Sequence, residues 1–199
     1  ALVGEPTGMQ PAIAEKGLMV LDITAHGKAG HAARDEGDNA IYHALDDMQW
    51  FRTKEWERVS PLLGKVKTTV TIVNSGTQHN VIPDQCTFTV DVRSNELYSN
   101  QELFQLICQE VKSEVKARSF RLNSSSISTG HPIVKALTAM GKKPFGSPTL
   151  SDQALMPFPS LKMGPGESSR SHTADEYILR SEIADAISTY TSLLHNLVL

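Results

Sequence analysis

Three segments in the first 124 residues alternate between apolar and polar positions. The first runs from Gly17 to Ala25, and the other two cover residues 66–74 and 86–92. A period of two residues is typical of a β-strand with one buried face. A shorter segment, 118–122, is interpreted as a closing strand, so the pattern predicts four strands. The buried positions of the first strand would be Met19, Leu21, Ile23 and Ala25.

Two further segments carry apolar residues at spacings of three and four, which indicates amphipathic helices. One follows Asp38, a candidate N-cap, and the other follows Ser99 or Asn100. The apolar positions of the first are Ile41, Ala44, Leu45 and Met48, and those of the second are Leu103, Phe104, Ile107, Cys108, Val111 and Val115. The resulting order of elements is βαββαβ.

This order over residues 17–124 predicts the α+β, ferredoxin-like arrangement, a four-stranded antiparallel sheet covered on one face by two helices. The second and fourth strands are then edges, and the second would expose unpaired backbone groups. Pairing with a second copy would satisfy them, so we expect a homodimer formed through the 66–75 edge strand and the 39–51 helix. The alternative is an edge covered by its own chain.

The remainder of the chain has a different character. A serine-rich junction at 123–126 precedes two expected helices, 131–140 with His131 helping to cap it and 147–156, and then a short strand at 160–163. A last helix is predicted to bury Ile183, Ile187, Tyr190, Leu194 and Leu197. About 75 residues with a short N-terminal stretch are too few to enclose a core. We therefore expect residues 1–15 and 126–199 to be segments of a larger α/β domain, into which 16–125 is inserted.

Composition narrows the classes of function. The chain has 199 residues, 40% of them hydrophobic, and a formal charge of -3 with no basic stripe, which argues against nucleic acid as a partner. The apolar stretches are too short to span a membrane. Cys86 and Cys108 lack the spacing of a metal site, so both are interpreted as reduced core residues of a cytoplasmic protein.

Three residues stand out as candidates for chemistry. Glu5 follows an apolar strand end, His172 follows the Gly164-Pro165-Gly166 break, and His31 lies among glycines and alanines. Binding sites in open α/β sheets usually lie at the carboxyl ends of the strands. Taken singly, each residue is as well explained by a capping or loop role.

Six short motifs change this interpretation because they occur in one order. They are Gly4-Glu5-Pro6, Gly30-His31-Ala32, His79-Asn80-Val81, Asp91-Val92-Arg93, Gly164-Pro165-Gly166 and His172-Thr173-Ala174-Asp175-Glu176. Together they resemble the dinuclear-zinc aminoacylase family of deacetylases, desuccinylases and peptidases. Within that family the chain is most similar to the N-acyl-ornithine deacetylases of arginine biosynthesis.

The resemblance implies a zinc-dependent amidohydrolase that uses metal-activated water to cleave the amide of N-acetyl- or N-succinyl-ornithine. It implies two zinc ions per subunit, with cobalt as an alternative, and matches Glu5 to a ligand of one ion and His172 to a ligand of the other. His31 matches a histidine that reaches across the dimer to stabilise the oxyanion.

The same resemblance matches Asn80 to a substrate-binding residue and Arg93 to an arginine for a substrate carboxylate. A structural ion pair between Arg93 and Asp91 is the alternative for that arginine. Arg170, close to His172 in sequence, is a hypothetical contact for an anionic acyl group.

The family's remaining metal ligands and its general base lie upstream of Gly-Glu-Pro and are not in this chain. We therefore expect a C-terminal part of the enzyme that binds metal weakly or not at all and is inactive alone. A non-catalytic ferredoxin-like dimerisation or ligand-binding module and a dipeptidase of the same family are the alternatives.

Overall fold

The computed structural model describes residues 1–197, apart from the side chain of Asn196. The last two residues of the expected segment 126–199 lie outside this range. The strands are β1 (Leu2–Val3), β2 (Ala12–Glu15), β3 (Met19–His26), β4 (Gly30–His31), β5 (Lys67–Ser75), β6 (Val81–Ile82), β7 (Gln85–Arg93), β8 (Glu114–Ala117), β9 (Ser125–Ser126), β10 (Phe145–Ser147) and β11 (Leu161–Lys162). The helices are α1 (Ala40–Thr53), α2 (Asn100–Glu110), α3 (Pro132–Ala139) and α4 (Arg180–Asn196).

One compact unit consists of Gly17–Ser60 and Gly64–Asn123. Its antiparallel sheet has the order β5-β7-β3-β8. The alternate residues of β3 are buried with those of β7 against α1 and α2, so both helices cover the same face. The predicted ferredoxin-like α+β fold is confirmed, with the second and fourth of its strands at the edges.

The boundaries of three elements differ from the prediction. Asn39, and not Asp38, caps α1 by accepting the backbone N–H of Ile41 at 3.0 Å. Ser99, one of the two predicted caps, caps α2 by accepting the backbone N–H of Glu102, but the helix ends before the predicted Val111 and Val115. The closing strand is β8 and not 118–122, because α2 already ends at Glu110 and frees the β-branched Val115 to pair with Ile23.

The two cysteines are both free but differ in environment. Cys86 lies on the buried face of β7, as predicted. The prediction that Cys108 belongs to the core is wrong, because it lies on the solvent side of α2 next to the buried Ile107. Burial raises the pKa of the Cys86 thiol, so it is held in the protonated form.

The second unit consists of Ala1–Lys16, Pro61–Leu63 and the chain from Ser124 onward. Its sheet has the order β1-β11-β2-β10, with β9 paired to β2. His131 caps α3 by accepting the N–H of Ile133, as expected. The helix expected at 147–156 is only a 3₁₀ turn, Asp152–Leu155, which the extended residue Ser151 begins and Met156 ends.

The helix α4 forms where predicted but buries a different face. Ala186 and Leu193 are buried in the core of this unit, and two of the predicted residues, Tyr190 and Leu197, pack against it. Ile183, Ile187 and Leu194 are exposed instead. The large apolar side chains predicted this stripe from the sequence, whereas the residues buried most deeply include the small Ala186. Within residues 1–197, no helix is both long and apolar enough to cross a membrane.

Candidate functional site

Glu5 lies at the carboxyl edge of a parallel strand pair. Strands β1 and β11 run parallel, and the turns that follow them are joined by hydrogen bonds. The N–H of Thr7 donates to the carbonyl of Gly164 at 3.1 Å, and the N–H of Gly8 donates to the carbonyl of Gly166 at 2.8 Å. The structure therefore brings Glu5 and the Gly164–Gly166 turn together at the edge of the sheet where ligands usually bind.

The glycine at position 164 is required by this close approach. A Cβ atom at Gly164 would lie only 2.5 Å from the carbonyl oxygen of Glu5, a contact with rigid backbone. The Gly-Pro-Gly motif and the Gly-Glu-Pro motif thus need each other sterically. This packing gives a steric reason for the glycine at position 164, although the two motifs are 160 residues apart in sequence.

His172 lies on an exposed loop of the same unit, beyond that turn. Its backbone is in the left-handed region, with φ of 62°, and its N–H donates to the Glu176 carboxylate at 3.0 Å. A cleft of 320 Å³ lies beside this loop, and its lining includes Pro6, Gly166, Arg170, Ser171 and Glu176. Neither Glu5 nor His172 is among the residues that line it.

The donor atoms fit a divalent metal in kind but not in number. Carboxylate oxygen and imidazole nitrogen suit zinc, yet a catalytic zinc needs three protein ligands. Within residues 1–197, no three histidine, cysteine, aspartate or glutamate side chains lie together in a way that could hold a metal. Glu5 and His172 therefore do not form a complete metal site in this part of the chain.

Arg170 is engaged by its own chain. Its guanidinium donates two hydrogen bonds to the Glu182 carboxylate, at 2.8 and 3.0 Å, and stacks on Tyr177 with 4.7 Å to the ring centroid. The ion pair raises the pKa of Arg170 and lowers that of Glu182. Glu182 also accepts the N–H of Leu179, so this pair fixes the start of α4.

His31 and Asn80 are brought together on a two-stranded ribbon formed by β4 and β6. His31 lies opposite Val81, and the N–H of the following Ala32 donates to the carbonyl of Asn80 at 2.9 Å. The imidazole is exposed, and its Nδ1 accepts the N–H of Ala33 at 3.1 Å. His31 and Asn80, 49 positions apart in sequence, thus lie on adjoining segments of the backbone.

Arg93 forms an ion pair with Asp91, which was the structural alternative to binding a substrate carboxylate. Its Nε lies 2.8 Å from Oδ1, and its Nη2 lies 3.0 Å from Oδ2. This is a side-by-side, bidentate pair on the open face of the sheet, with both side chains about 30% exposed.

The edge strand β5 carries an exposed apolar surface. Ile72 is 51% exposed and Val73 is 52% exposed. On α1, Tyr42 is 68% exposed and Leu45 is 52% exposed. Within residues 1–197, β5 pairs only with β7, so its outer backbone groups are unpaired. We call these four side chains and the outer edge of β5 the edge surface.

A buried polar cluster in the second unit was missed by the sequence reasoning. Glu15 is fully buried and accepts hydrogen bonds from Ser151 and Gln153, while Lys162 Nζ lies 3.4 Å from its Oε2. Lys162 also donates to both oxygens of Thr149. The signal was present, because Glu15 ends a strand whose other residues, 12–14, are all apolar.

Comparisons with known proteins identify relatives of this chain. A sequence profile described as the M20 peptidase dimerisation domain matches residues 13–119. A putative LysW-lysine/LysW-ornithine hydrolase of Aeropyrum pernix is 28% identical and covers 97% of this chain. An acetylornithine deacetylase of Pectobacterium carotovorum is 26% identical and covers 98%. The chain spans 56% of the length of each of these relatives.

Solved structures show the same fold. An aminopeptidase from Bacillus cereus superposes with a TM-score of 0.72 at 16% identity, covering 96% of this chain and 55% of its own. A dinuclear metal binding peptidase of the M20 family from Bacillus subtilis gives a TM-score of 0.66 at 18% identity, covering 96% and 55%. The architecture of both compact units therefore has counterparts in chains nearly twice as long.

Proposed function

The chain belongs to the family of the M20 peptidase dimerisation domain, and on this premise we propose that it is the C-terminal part of a metal-dependent amidohydrolase. The intact enzyme would hydrolyse the amide of an N-acyl amino acid. The expected substrate is N-acetyl-ornithine or N-succinyl-ornithine of arginine biosynthesis, since relatives carry names such as acetylornithine deacetylase and succinyl-diaminopimelate desuccinylase.

The observation that carries this proposal is the packing of the Gly4-Glu5-Pro6 motif on the Gly164–Gly166 turn. It places a carboxylate at the carboxyl edge of a parallel strand pair, beside the cleft that also borders the His172 loop. Glu5 would supply a ligand to one of two zinc or cobalt ions, and His172 would supply a ligand to the other. The remaining ligands and the general base would come from outside this chain. Residues 1–15 and 126–199 would thus complete a catalytic domain.

Residues 16–125 would form the lid and dimerisation domain. The edge surface supports a homodimer through the 66–75 strand and the 39–51 helix, because its backbone groups and apolar side chains lack partners within the described residues. In that dimer His31 would donate to the oxyanion in the site of the second copy.

Asn80, Arg93 and Arg170 would contact the substrate. The arginines already bind carboxylates of their own chain, Asp91 and Glu182. Each would have to exchange that carboxylate for one of the substrate, so their substitution should affect binding of the substrate more than the chemical step.

The proposal is tested by assaying the intact enzyme and this 199-residue chain side by side. The intact enzyme should release ornithine from N-acetyl- or N-succinyl-ornithine and lose this activity on removal of the metal. The chain alone should release none, with or without added zinc. Turnover by the chain alone, or an intact enzyme inactive on both substrates, would refute the proposal.

A further inference from the structure

A cavity of 260 Å³ lies in the ferredoxin-like unit, between the segment that follows α1 and the helix α2. Its lining residues fall between positions 54 and 110, all within the range that the family profile matches. None of the residues proposed for catalysis or substrate binding is among those that line it. The volume is slightly below the ~300–1,000 Å³ of pockets for drug-sized ligands, so the cavity suits one small molecule.

The floor of the cavity is aromatic. Trp56 and Tyr98 are both buried and meet edge to face, with 5.9 Å between their ring centroids. The Nζ atom of Lys54 lies 5.7 Å from the ring centroid of Trp56. The Cζ atom of Arg58 lies 3.8 Å from that of Tyr98. Such a floor shields the methylene groups of a ligand from water, and its ring faces attract cations.

The two basic side chains of the lining, Lys54 and Arg58, keep donors for a ligand. Lys54 donates a hydrogen bond to Glu110 at 3.1 Å. Arg58 donates to the carbonyl of Leu97 at 2.6 Å and to the carboxylate of Glu102. An ammonium has three N–H donors and a guanidinium has five, so each cation retains N–H groups that have no acceptor within residues 1–197. Charged donors of this kind bind a carboxylate strongly.

The outer part of the cavity is acidic. Four glutamates line the cavity, against two basic residues. Glu102 and Glu110 are paired with the two cations of the cavity. Glu55 is paired with Lys65. Glu57 is exposed and is the one glutamate of the lining without an ion pair in the described part of the chain, so it is available to a cationic group of a ligand.

We infer that this cavity binds a basic α-amino acid. The carboxylate of the ligand binds Lys54 and Arg58, its methylene groups pack on Trp56, and its side-chain cation faces Glu57. The net positive charge of such a ligand complements the excess of carboxylates in the lining. The site lies apart from the proposed catalytic residues and does not depend on the proposed function.

Titration of the 199-residue chain with L-ornithine tests this inference. Both tryptophans of the chain report on the cavity, because Trp56 lines it and the ring centroid of Trp50 lies 6.4 Å from that of Trp56. L-Ornithine should change the intrinsic fluorescence saturably and shift the indole N–H signal of Trp56 in a ¹H–¹⁵N spectrum. Putrescine lacks the carboxylate and L-norvaline lacks the side-chain amine. Each should bind roughly tenfold more weakly, because each loses one charged contact.

A pair of variants locates the ligand. Glu57→Gln removes the carboxylate that lacks an ion pair, at an exposed position, and should weaken L-ornithine roughly 3- to 10-fold while leaving L-norvaline unchanged. Glu36→Gln makes the same change at an exposed glutamate outside the cavity and should leave the affinity for L-ornithine unchanged. Arg58→Gln should weaken both amino acids, with circular dichroism as the check that this variant is folded.

Several results would overturn the inference. Unchanged fluorescence together with an unshifted Trp56 signal at millimolar L-ornithine would show that the cavity does not bind it. Equal affinity for putrescine or L-norvaline, or an unchanged affinity of the Glu57→Gln variant, would show that the ligand is not recognised as inferred. The proposed function is decided separately, by the hydrolysis assay of the intact enzyme, so each can fail without the other.

Discussion

Two carboxylates of this chain, Glu5 and Glu15, differ in the roles that their surroundings permit. Glu15 is fully buried and lies within contact distance of donors from Ser151, Gln153 and Lys162. It cannot give up these partners without leaving a buried charge unpaired. Glu5 is partly exposed at a strand end beside a cleft. Burial assigns a structural role to the first and leaves the second accessible to a ligand.

Removing the cation from the buried cluster should be costly. Lys162→Met should destabilise the protein by about 3–5 kcal/mol, since Glu15 would remain buried without its counter-ion. Urea unfolding followed by circular dichroism measures this change. Lys135→Met, an exposed position on α3 of the same unit, is the control and should leave the midpoint nearly unchanged. Equal midpoints for the two variants would show that the buried pair contributes nothing.

The pair of Asp22 and Arg118 should make stability depend on pH. Hydrogen bonds from Arg118 lower the pKa of the Asp22 carboxyl below its ordinary value. Such a group stabilises the folded state above its unfolded pKa of ~3.9, and this contribution disappears as the pH falls through the lower folded value. Asp22→Asn should therefore destabilise modestly at pH 7, as expected for a carboxylate side chain that is 48% exposed, and not at all at the acid limit.

Urea unfolding of the Asp22→Asn variant from pH 7 downward checks this sign. Asp46→Asn, which replaces an exposed aspartate on α1, is the matched control for the same change of side chain. A difference for Asp22→Asn that grew towards low pH would contradict the assignment.

At the scale of elements, alternation predicted β3 and β7 well because each buries every second side chain. It failed at α4, where the small residue Ala186 faces the core and large apolar residues face outward. The pairing of Arg170 with Glu182 and of His31 with Ala33 could not be predicted either. Both depend on turn geometry, which the residue types alone do not fix. The order of the motifs, by contrast, was enough to identify the family.

The edge surface should control association of the chain. Ile72→Lys places a charge on an apolar patch and beside unpaired backbone groups, so it should convert a dimer into a monomer. Sedimentation velocity of the 199-residue chain measures the effect. Leu106→Lys is the control, because Leu106 is an exposed apolar residue on α2, outside the edge surface. A monomeric unmodified chain would contradict dimerisation through the edge surface, and a dimer that survives Ile72→Lys would place the contact elsewhere.

At the scale of the whole molecule, the two compact units carry different parts of the proposed chemistry. Glu5 and His172 belong to one unit, and His31 and Asn80 belong to the other. If His31 serves the site of a second copy, no monomer is self-sufficient. Dimerisation would then be a condition of catalysis, and the dimerisation domain that the family profile describes would be part of the active site.

The most direct test of this arrangement mixes two inactive variants of the intact enzyme, Glu5→Ala and His31→Ala. A mixed dimer has one site with both defects and one site with an intact Glu5 and a His31 donated by the other subunit. Random mixing makes half of the dimers mixed, so roughly a quarter of the wild-type activity should return. Each variant mixed with itself is the control. Absence of activity in mixtures that demonstrably contain mixed dimers would contradict the proposed sharing of the active site.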